Sequence, residues 1–129
     1  MNPIASIVTC VLSFLIATTN TTPTAVIKHA NVIEATSNSP GELTVYTSMS
    51  ATYVDLDFDG ESSIGTEGAD LIMCCWFVDG ELADAEDFSP TLRLEIGEDP
   101  IEVEFTVYAN DADITPSEPA ILTITVVRQ

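Results

Sequence analysis

The sequence predicts an all-β fold, an immunoglobulin-like two-sheet sandwich of about seven strands behind a short apolar N-terminal segment. Three observations carry that expectation. Side chains alternate with period two from residue 25 onward, turn residues recur about every ten positions, and helical signals are few over the same stretch. A chain of 129 residues has room for one core and a short appendage. The expected division is an apolar anchor or assembly segment at 1–17, a Thr-rich tether at 18–24 and the sandwich at 25–129.

The expected strands are 25–35, 42–49, 51–58, 70–79, 91–96, 101–109 and 120–127. The sixth alternates most cleanly, with Ile101, Val103, Phe105 and Val107 on one face and Glu102, Glu104 and Thr106 on the other. The fifth turns Leu92, Leu94 and Ile96 inward and Arg93 and Glu95 outward. The last alternates Leu122, Ile124 and Val126 with Thr123 and Thr125. Pro40-Gly41, Asp59-Gly60, Asp79-Gly80, Pro90, Asp99-Pro100 and Pro116 to Pro119 punctuate the series. The stretch 70–79, DLIMCCWFVD, is almost continuously apolar, which predicts a central strand with Trp76 as its main contribution to the core.

Phe58-Asp59-Gly60-Glu61-Ser62-Ser63, then Trp76-Phe77-Val78-Asp79-Gly80, then the strands at 101–109 and 120–127 together resemble the PKD-type immunoglobulin-like domain. The resemblance covers about residues 42–127. It implies a β-sandwich used as a spacer, adhesion module or virion decoration, and it assigns no catalytic residue. Cysteines placed to bridge the two sheets, as in antibody domains, are absent.

The formal net charge is -18, from 21 Asp and Glu against 3 Lys and Arg. Such a surface repels phosphate, which excludes nucleic acid as a partner and disfavours anionic headgroups. With 46% hydrophobic residues the chain is not a disordered acidic tail. The composition is similar to that of haloarchaeal proteins and their viruses. Molar salt shrinks the Debye length to about 3 Å and screens the self-repulsion that an acidic surface suffers in dilute buffer. A merely acidic protein is the alternative, and a melting curve against KCl separates the two.

The charge is unevenly distributed. Every acidic residue lies from Glu34 onward, and Lys28 is the only charged side chain in residues 1–33. Ile4 to Ala17 reads IASIVTCVLSFLIA; at helical spacing Asn2, Ser6, Thr9 and Ser13 fall on one narrow stripe, which favours a helix buried nearly all round. A strand pair is the alternative, because β-branched residues are frequent. A cleaved secretory signal would carry positive residues ahead of the apolar run and small residues at its end; both are missing or poorly formed. A lipoprotein-type cysteine at Cys10 is disfavoured for the same want of small residues. A membrane anchor at 4–17 is short for a span of roughly 30 Å. Burial against neighbouring subunits is the remaining possibility. Asn20-Thr21-Thr22 fits the glycosylation acceptor pattern, although Thr-rich tethers need no such role.

The candidate site is metal-binding: Asp55, Asp57 and Asp59 in D-x-D-x-D-G resemble the start of a calcium loop, in which alternate carboxylates converge on one hard cation. The twelfth position, where a bidentate Glu belongs, is Thr66, with Glu67 one step late. Alternation with Leu56 and Phe58 offers a second account, in which Asp55 and Asp57 are the solvent face of a strand. No other cofactor is expected. His29 is the single histidine, so no base serves a nucleophile triad, and Cys10, Cys74 and Cys75 form neither a disulfide framework nor a Cys-x-x-Cys pair. A glycosidase carboxylate pair is disfavoured, because few aromatics are present to line a sugar cleft. The chain is therefore expected not to be an enzyme.

The expected function is a structural or interaction subunit of an extracellular assembly, at a virion surface, a tail or an archaeal filament. Its partners would be subunits of the same assembly, in a homo-oligomer contacted through residues 1–24. A membrane-anchored cell-surface adhesion protein and a secreted calcium- or glycan-binding module are the alternatives.

Overall fold

The structure, a computed structural model, describes residues 22–129. The expected helix at 4–17 lies outside them. The described residues form nine strands and no helix: β1 Val26–His29, β2 Val32–Thr36, β3 Gly41–Thr47, β4 Tyr53–Asp57, β5 Leu71–Val78, β6 Glu81–Asp84, β7 Thr91–Glu95, β8 Ile101–Ala109 and β9 Ala120–Arg128.

One layer is a five-stranded sheet in the order β3-β9-β8-β5-β6, antiparallel except that β3 runs parallel to β9. The other layer joins two antiparallel pairs, β1-β2 and β4-β7. The chain beyond β4 makes the join. Lys28 and Asp59 exchange both backbone bonds at 2.9 Å, and Thr24 and Ile64 do the same at 2.8 and 2.9 Å. On the other side Phe58 N donates to Pro90 O and Gly60 N to Phe88 O, at 3.0 and 2.6 Å. The result is the expected immunoglobulin-like sandwich.

The core lies between the layers. Val103, Phe105, Val107, Leu122 and Ile124 are fully buried from the five-stranded sheet, and Ile27, Leu94, Leu56 and Phe58 oppose them. Trp76 is also fully buried, its ring stacked at 3.8 Å on Phe105 and 5.8 Å from Phe58. The inward sets expected for 101–107 and for Leu92, Leu94, Leu122 and Ile124 are the buried ones, while Ile96 and Val126 are half-buried at its margin.

Three sequence expectations change. The expected strand 25–35 is two strands, folded back at Ala30 and Asn31, whose φ angles are 53° and 64°. Positive φ at both central residues is the requirement of a type I′ hairpin turn. Asp79 and Gly80 repeat that geometry, φ 48° and 86°, and lead into β6, a short polar strand that the periodicity does not mark. Finally, β5 is central but is covered on one face only. Cys74 and Trp76 point into the core, whereas Ile72 and Met73 are exposed. Its continuous apolar run therefore supplies two different surfaces.

The strand directions define two ends. At the near end lie Thr24, Ile64, Leu71, Ala109 and Ala120; at the far end lie the turns at 30–31 and 79–80, the 48–52 connection and the C-terminus.

Candidate functional site

Asp55 and Asp57 stand on the solvent face of β4, because Val54, Leu56 and Phe58 take the alternate positions in the core. Each has its own partner. The Arg93 guanidinium donates to both Asp55 oxygens, at 2.9 and 3.0 Å, from the directly opposed position on β7. That pairing holds the Asp55 carboxyl below the usual carboxylate range. Arg93 also lies 3.9 Å from the centroid of the Tyr53 ring, a cation–π contact. The Thr91 hydroxyl donates to Asp57. Asp59 lies past the end of β4, where its Oδ1 accepts from the Glu61 amide at 2.8 Å and faces the Ser89 hydroxyl at 3.1 Å. The three carboxylates thus form a row along one face, held by different donors. Among the described residues no group of three or more His, Cys, Asp or Glu is arranged to hold a metal ion.

The Asp-Gly-x-Ser-Ser stretch has a structural role. Ser63 Oγ accepts from Val26 N at 2.9 Å, and Asp59 pairs with Lys28, so this segment is the seam that joins β1 to β4. Trp76 Nε1 donates to the Asp87 carbonyl at 2.9 Å, and the Cys74 thiol lies 3.4 Å from the same oxygen. Burial, with Asp84 as a lesser influence, pushes the Cys74 thiol up to about 12. Both Cys74 and Cys75 are free thiols. Cys75 is half-buried on the outer face of β5, and Tyr108, on the neighbouring strand, has its hydroxyl pushed up first by burial and then by the Cys75 thiol. His29 directs Nδ1 at the Asp57 carbonyl, 2.9 Å away, with its ring tilted against Phe58 at 6.0 Å. It has no nucleophile beside it among those contacts.

The surface depressions are shallow. A groove at the open β6–β7 edge holds about 340 Å³ and is lined by Val78, Glu81, Leu82, Arg93 and Glu95 among others; a smaller one of about 130 Å³ lies under the 96–101 turn. Neither is the enclosed, mostly apolar cleft that a small-molecule site requires.

Two features were not read from the sequence. One is the Tyr53–Arg93–Asp55 constellation, which follows once β4 and β7 are paired in register. The other is exposed apolar surface, at Ile64, Ile72, Met73 and Ile114 toward the near end and at Val32, Ile33, Tyr46, Met49, Tyr53 and Leu82 toward the far end.

No family model matches the chain, and no curated protein matches it in sequence. Among solved structures it is similar to the fibronectin(III)-like modules of Clostridium thermocellum CbhA, at 15% identity and a TM-score of 0.48. The match covers 83% of this chain and 47% of that one, so the chain spans about half of that neighbour's length. Among the described residues no helix is long and apolar enough to cross a membrane.

Proposed function

We propose that this chain is a non-catalytic structural subunit of an extracellular assembly in high salt, a virion surface component (capsid decoration or turret) or tail component. The observation that carries the proposal is the partition of charge. All 21 carboxylates belong to the sandwich, and residues 1–27 have no charged side chain. Among the described residues a single ion pair, Arg93 to Asp55, offsets that acidity. A surface of this kind holds copies apart in dilute buffer and lets them approach when salt screens them. The uncharged segment is then the natural adhesive, because it carries no repulsion with it. The PKD-like pattern at 42–127 agrees with a spacer or decoration module.

Sedimentation of the full chain against KCl concentration tests this. Discrete assemblies and a rising melting temperature toward molar KCl are expected, and Leu12→Asp in the uncharged segment should abolish the assemblies without lowering the melting temperature. A monomer at every salt concentration would sink the proposal. The uncharged, mainly apolar run from Ile4 to Ala17 also favours a second reading, a membrane-anchored cell-surface protein, which predicts recovery only in detergent-extracted membranes.

A further inference from the structure

Among the described residues four strands keep an edge without a strand partner, β3 and β6 in one layer and β2 and β7 in the other. An open edge is a template for pairing, and short length or charge blunts it. The four residues of β6 include Glu81 and Asp84, at its two ends; β2 carries Glu34 at its centre and β7 carries Arg93 at its centre. The longest of the four is β3, Gly41–Thr47, whose single charge is Glu42. Residues 43–54 are the longest uncharged stretch after Glu34, and the neighbouring β9 has no charge before Arg128.

The backbone groups on this edge can be named. Gln129 N donates to Thr47 O across the β3–β9 ladder at 2.9 Å. Successive residues of a strand direct their backbone groups to opposite sides, so Leu43, Val45 and Thr47 bond toward β9, while Glu42, Thr44 and Tyr46 present N–H and C=O on the free side. The side chains of those three residues are exposed, and Leu43 and Val45 pack against the core.

A second β3, laid antiparallel about a two-fold axis at Thr44, matches this edge to itself. Thr44 opposes Thr44 and Glu42 opposes Tyr46, and each opposed pair can exchange both backbone bonds. Facing threonines favour a sheet, and no like charges stand opposite one another. The two Glu42 side chains lie about 13 Å apart along the strands, beyond the screening length of about 8 Å at physiological salt. Glu34, whose carbonyl lies against Gly41, is about 20 Å from its copy. The same operation at the other edges sets like charges face to face: Glu34 on Glu34 in β2, Glu81 on Asp84 in β6 and Arg93 on Arg93 in β7.

We propose that the free edge of β3 pairs with β3 of a second copy of this chain, joining two five-stranded sheets into one. The contact goes beyond the assembly reading above, because it uses none of residues 4–17.

Cross-linking of the full chain in molar KCl tests it, in a Cys10→Ser/Cys75→Ser background that leaves only the buried Cys74. Opposed residues of such a pair have α-carbons about 5.5 Å apart, within reach of a disulfide. Thr44→Cys is expected to link copies to one another on mild oxidation, whereas Thr125→Cys, exposed beside it on β9, should not. Glu42→Cys and Tyr46→Cys should each stay unlinked alone and link when mixed, which fixes the antiparallel register. Thr44→Cys linking no more than Thr125→Cys would overturn the proposal, as would Tyr46→Cys linking to itself more readily than Thr44→Cys. Assemblies that form without a link at position 44 would sink the pairing and leave the assembly reading standing. Links at position 44 in a chain that sediments as a pair and nothing larger, with or without Leu12→Asp, would do the reverse.

Discussion

Gly60 lies against the ring of Phe105, so close that a β-carbon at position 60 would overlap Cε2 and Cζ of that ring. Its amide donates to the Phe88 carbonyl, which fixes the backbone there, and Phe88 in turn sits edge-on to Phe105 at 6.2 Å. The glycine serves close approach rather than a turn. Gly60→Ala should therefore push the Phe105–Trp76 stack apart and cost about 1–3 kcal/mol, the range for overpacking a core. The midpoint of denaturant unfolding in molar KCl measures it, and an unchanged midpoint would show that the ring can move aside.

That position also marks where the sequence was legible and where it was not. Strands β7, β8 and β9 announce themselves because one face is buried and the other is wet, so burial writes itself into the alternation at 92–94, 101–107 and 122–124. The Asp79-Gly80 turn is equally plain, since glycine tolerates positive φ. Ala30-Asn31 adopts the same turn without glycine, held by the β1–β2 ladder, and so 25–35 looks like one strand. At the candidate site, alternation alone puts Asp55 and Asp57 on the outer face, but their separate partners depend on strand pairing, which a single sequence does not specify.

The Cys74 thiol should be inert in the native protein. It is fully buried next to Trp76 and its ionisation is pushed up to about 12, whereas a reactive cysteine is a thiolate near neutral pH. In a Cys10→Ser chain at pH 8, a thiol reagent is expected to modify Cys75 and to reach Cys74 only on unfolding. The pH dependence has a definite sign. A raised native value means that the stabilisation is complete below the ordinary thiol value of 9.0 and is lost as pH rises toward about 12. Replacing Cys74 by Ala should flatten that alkaline limb, monitored by the single tryptophan, whose buried indole makes it a reporter of the same region.

Calcium at the carboxylate row must compete with Arg93. A cation that used Asp55 would have to displace a two-bonded guanidinium, and calcium asks for six to eight oxygen ligands. Arg93→Ala should therefore enlarge any calcium-induced rise in melting temperature relative to the unmodified chain, at constant molar KCl. Should both proteins melt at the same temperature with and without calcium, Asp55, Asp57 and Asp59 are a solvated strand face and nothing more.

The turn at 111–115 holds a conformation that its own sequence opposes. Ile114 sits at φ 50°, and a β-branched residue in the left-handed region costs about 1–2 kcal/mol. Asp111 supplies the frame: its Oδ1 accepts from the amides of Thr115 and Asp113, at 3.0 and 3.2 Å, and its Oδ2 from the Thr115 hydroxyl at 2.7 Å. Those bonds, the Thr115 hydroxyl first, lower the Asp111 carboxyl from its ordinary value of 3.8. The sign follows from linkage. Asp111 stabilises the fold above its unfolded value, and the contribution is lost as pH falls through the lower native value. Asp111→Asn should accordingly flatten the acid limb of the stability curve below about pH 4. Ile114→Asn, whose side chain suits positive φ, should raise stability by about 1 kcal/mol. An isolated subunit that gained nothing from Ile114→Asn would mean that the isoleucine packs well enough on its own sandwich to offset the strain. A gain would mean that the contacts of the isoleucine do not offset its strain.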